Sequence, residues 1–70
     1  MVEQVECRSD SQYAERPVAF FWQGEHLEVN KIQARWRSPE GMTFRVIAGD
    51  DQIFELYYDE GNDFWKVVQK

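Results

Sequence analysis

The chain reads as an all-β domain built as a five-stranded antiparallel meander, and three observations predict it. Apolar residues alternate with polar ones over several stretches, clusters of Gly, Pro, Asn and Asp separate those stretches at short intervals, and helical spacing is interrupted by a Gly or Pro. Only the stretch from Val2 to Cys7 leaves a short helix conceivable.

Seventy residues make one domain, with residues 17–70 as its β core. A chain of this size buries a modest share of its unfolded surface, so its three tryptophans, three tyrosines and five phenylalanines are needed first as core. Residues 1–16 are mostly polar, with a turn-like Ser9-Asp10-Ser11, and read as a flexible leader. The competing reading is an edge strand over Val2 to Cys7 that closes a barrel.

The first strand covers Val18 to Gln23, after Pro17, whose missing N–H suits the start of a strand. With Gly24 and Glu25 as turn centre, Phe20 is expected opposite Val29 and Trp22 opposite Leu27. The second strand, His26 to Arg37, changes its apolar parity from Leu27 and Val29 to Ile32, Ala34 and Trp36. One extra residue near Asn30 and Lys31, a β-bulge or bend, accounts for that change and lets the strand curl. The runner-up is a break into two strands.

Ser38-Pro39-Glu40-Gly41 suits a three-residue hairpin loop with Gly41 in the left-handed position. That loop sets Trp36 opposite Phe44, Ala34 opposite Val46 and Ile32 opposite Ala48. The third strand, Met42 to Ala48, ends at Gly49-Asp50-Asp51, and a three-residue loop there pairs Val46 with Phe54 and Phe44 with Leu56. The fourth strand is Gln52 to Tyr58. A turn over Asp59 to Asp63 leads to the fifth, Phe64 to Val68, with Trp65 and Val67 expected inward because Lys66 then points out. A bent meander of this kind forms a strongly curved sheet or a small SH3-like barrel.

Thirteen acidic residues against eight lysines and arginines give a net charge of -5, which disfavours nonspecific adhesion to nucleic acid or anionic membranes. The single cysteine, Cys7, rules out an internal disulfide and suggests an inert thiol in a reducing compartment. No stretch approaches the roughly 20 apolar residues of a membrane-spanning helix, and a cytoplasmic protein is expected.

Little in the sequence points to catalysis. The one histidine, His26, follows a turn, and no Ser-His-Asp, Cys-His, HExxH or glycine-rich phosphate motif is present. The acidic loops at Asp50-Asp51 and at Asp59, Glu60, Asn62 and Asp63 lack calcium-loop spacing and read as turns. A non-enzymatic chain without cofactor or metal is expected.

The candidate site is the outer sheet face. The expected register sets Arg35 opposite Arg45 and Arg37 opposite Thr43, with Arg45 next to Glu55 and Thr43 next to Tyr57. A solvated ionic ladder would explain this face, and so would a basic and aromatic platform extended by Lys31 and Phe21. Phe21 and Ile47 also face outward, Ile47 opposite Ile53, as an apolar patch for a partner. The expected interaction surface is Phe21, Arg35, Arg37, Arg45, Ile47, Glu55 and Tyr57. A protein partner fits the acidic balance better than nucleic acid; the alternative is a weak single-stranded nucleic-acid binder.

The pattern Pro17-x-x-Phe20-x-Trp22-x-Gly24-x-x-x-x-Val29, followed by Trp36-Arg37, Phe44-Arg45-Val46, Glu55-Leu56-Tyr57-Tyr58-Asp59 and Trp65, resembles a family of short uncharacterised bacterial domains. Its members can occur beside error-prone DNA-repair genes. The resemblance implies an accessory role in DNA repair and carries no catalytic residues. Arg37, Arg45 and Glu55 are the matching positions that a core does not explain.

Overall fold

The computed structural model describes residues 5–8 and 16–70. Among these, six strands follow one another in sequence order in one antiparallel sheet: β1 (Val5–Arg8), β2 (Arg16–Trp22), β3 (Glu25–Arg37), β4 (Gly41–Ala48), β5 (Gln52–Asp59) and β6 (Phe64–Gln69). The sheet is strongly curved into a half-barrel. The strand beyond the expected five is β1, which pairs with β2 through Val5 opposite Phe20 and places the half-buried Cys7 opposite Pro17. The edge strand proposed for Val2 to Cys7 is thus realised from Val5 to Arg8, and Val2 and the Ser9-Asp10-Ser11 turn lie outside the described residues.

β3 organises the curl. Its first residues, Glu25 to Glu28, pair with β2, and Val29 to Arg37 pair with β4. The pairing slips at Asn30, where a bulge is expected, and slips again at Gln33, where none is. Each extra residue bends the strand and increases its twist, and Asn30 Nδ2 anchors the first bend by donating to Gly49 O at 3.1 Å. The result folds β2 over the inner face of β4 to β6. Phe20 meets Phe54 at 5.0 Å between ring centroids, and Trp22 meets Phe54 at 5.5 Å, both edge to face.

Phe20, Phe44, Val46, Ala48, Phe54, Leu56 and Val67 form the buried cluster. Val46 lies opposite Phe54 and Phe44 opposite Leu56, as expected. Trp65 and Val67 point inward, with Trp65 tilted against Tyr58 at 5.0 Å and Phe44 at 6.0 Å.

The first two hairpin registers differ from expectation. The β2–β3 turn is centred on Gln23 and Gly24, at φ 51° and 83°, so Phe20 faces Leu27 and Trp22 faces Glu25. Two consecutive left-handed residues make the turn whose twist matches that of the flanking strands. The β3–β4 loop has only Pro39 and Glu40 between the paired Ser38 and Gly41, joined by reciprocal N–H to C=O bonds of 2.6 and 3.1 Å. Gly41 does not adopt positive φ. It is required because a Cβ there would lie 2.1 Å from Tyr58 O.

Candidate functional site

Shortening the β3–β4 loop by one residue reverses which residues of β3 face which side, since side chains alternate with period two. Trp36 therefore lies opposite Thr43 rather than Phe44, Ala34 opposite Arg45, Arg35 opposite Phe44, and Arg37 opposite Met42. The bulge at Gln33 absorbs the difference, returning Ile32 to the inner face opposite Val46 rather than Ala48. Arg35 and Arg37 consequently lie on the inner side of the sheet. The expected pairing of Arg35 with Arg45, and of Arg37 with Thr43, is replaced by a separation across the sheet.

The outer face of β3 to β6 carries Trp36, Thr43, Arg45, Ile47, Ile53, Glu55, Tyr57, Lys66 and Val68, by register and alternation. At its centre Glu55 is buried, unusually for a carboxylate, at 4 % exposure. Arg45 donates to Glu55 Oε2 from Nη2 at 2.8 Å and from Nε at 3.1 Å. The Tyr57 hydroxyl donates to Glu55 Oε1, and Lys70 Nζ lies 3.7 Å from the same oxygen.

These donors hold the Glu55 carboxyl below its ordinary value, first through Tyr57 and next through Arg45, against the opposing effect of burial. The same bond raises the Tyr57 hydroxyl above its ordinary value, because losing its proton would forfeit the bond and set two negative charges together. Arg45 also lies over the Trp36 ring, 5.4 Å from its centroid, a cation–π arrangement. Thr43 Oγ1, buried beside this network, has no hydrogen-bond partner among the described residues.

Of the expected surface, Arg45, Ile47, Glu55 and Tyr57 are brought together. Phe21 stands apart on the β2–β3 hairpin, where its ring meets His26 edge to face at 5.0 Å; His26 Nε2 is 3.3 Å from Glu6 Oε2. Arg35 and Arg37 line an inner-side groove of about 200 Å³ with Met42, Phe44, Tyr58 and Trp65, and Arg37 Nη1 lies 3.3 Å from Glu60 Oε1. Sequence reasoning assigned Trp36 to the core, and the structure adds it to the outer face, 38 % exposed, with Ile53 at 37 %.

A shallow groove of about 330 Å³ continues this face over β5 and β6, lined by Tyr57, Phe64, Lys66 and Val68, and by Ser38 and Glu40 of the β3–β4 hairpin. The loop beside it is held internally: Asp59 Oδ1 accepts from Asn62 N at 3.0 Å, Asp59 Oδ2 accepts from Asn62 Nδ2 at 3.2 Å, and Tyr58 donates to Asp63 Oδ1 at 2.6 Å. Bonds from Asn62 lower the Asp59 carboxyl from its ordinary value.

Among the described residues, no helix is long and apolar enough to cross a membrane. Comparison with family models, curated proteins and solved structures returns no match, so the likeness to the bacterial family stands on its quoted residues alone.

Proposed function

We propose that the chain is a small, non-catalytic protein-interaction module that presents the outer face of β3 to β6 to a partner protein. The observation that carries this reading is Trp36. A tryptophan turned outward by the short β3–β4 loop, on the same face as exposed Ile53 and half-buried Ile47 and Tyr57, is the composition of a binding patch rather than of a solvated surface. Arg45 and Glu55 neutralise each other within that patch and present a rigid, already paired centre.

The nucleic-acid reading is weaker on this geometry. Its platform needed Arg35, Arg37 and Arg45 together, whereas the first two lie across the sheet and the third is held by Glu55. We place the module in the cytoplasm, on its single cysteine, and take DNA repair as the first process to examine, on the family resemblance.

Affinity capture with the intact chain tests the reading. A partner retained by the wild type and by an Asp50→Ser control, and lost with Trp36→Ser, is the expected outcome; an identical captured set from all three would reject it.

A further inference from the structure

We draw no further inference here: the strongest candidate, the open backbone edge of β6 at Trp65, Val67 and Gln69, carries nothing because no feature of the structure shows what covers it, a second copy and a partner's strand fitting it equally.

Discussion

Glu55 is the residue on which the outer face depends. Its carboxylate is buried and receives bonds from Arg45 and Tyr57, so Glu55→Gln, which keeps the shape and removes the charge, is expected to destabilise the fold by about 1–3 kcal/mol at neutral pH. The pH dependence has a definite sign. A carboxyl whose folded value lies below its ordinary 4.5 stabilises fully above that value and loses its contribution as pH falls through the folded value. Urea titrations across the acid range should therefore show the wild type losing more stability than Glu55→Gln. Curves that remain parallel would refute the role given to this group. Trp36 makes the opposite case: Trp36→Ala should change stability by less than about 1 kcal/mol, since the ring is held chiefly by Arg45 at the surface. The buried Glu55 was legible as a neighbour of Arg45 because both lie on strands whose connecting loop was read correctly. The exposure of Trp36 was not legible, because a large apolar ring in an alternating segment is expected inside.

At the level of elements, the β3–β4 turn and the bulge at Gln33 form one device. A two-residue turn in place of a three-residue one reverses facing near the loop, and the extra residue at Gln33 restores it for Ile32. The parity change near Asn30 could be read directly from Val29 and Ile32. The second slip could not, since Ile32, Ala34 and Trp36 alternate whether or not Gln33 is bulged, and Ser-Pro-Glu-Gly suits either loop length. The β2–β3 turn lies one residue nearer the N-terminus than expected, which changes partners by two and leaves the inward set intact. Glycine substitutions separate the two turns. Gly41→Ala should destabilise by about 1–3 kcal/mol because its methyl would meet the Tyr58 carbonyl. Gly24→Ala, in open space at φ 83°, should cost about 1 kcal/mol, measured in the same denaturant series.

Over the whole molecule, strands that are neighbours in sequence are neighbours in the sheet, while the long curl of β3 brings β2 back over β5. Phe54 joins those halves by contacting both Phe20 and Trp22. Phe54→Ala is expected to remove about 3–5 kcal/mol, most of the stability of so small a domain, and to leave a chain with neither native tryptophan fluorescence nor native circular dichroism. A loss confined to one probe would show that the β2 hairpin and the β4–β6 sheet fold separately. The alternating pattern and turn chemistry made the meander and most of its core readable. The division of β3 between two faces required the second bulge as well as the first, because the slip at Gln33 is defined by the pairing with β4 rather than by β3's own residues. That division carries the functional account, and nuclear Overhauser contacts from the Trp36 indole test it most directly. Contacts to the side chains of Arg45 and Thr43 are predicted, and contacts to Phe44 within the core would contradict the account.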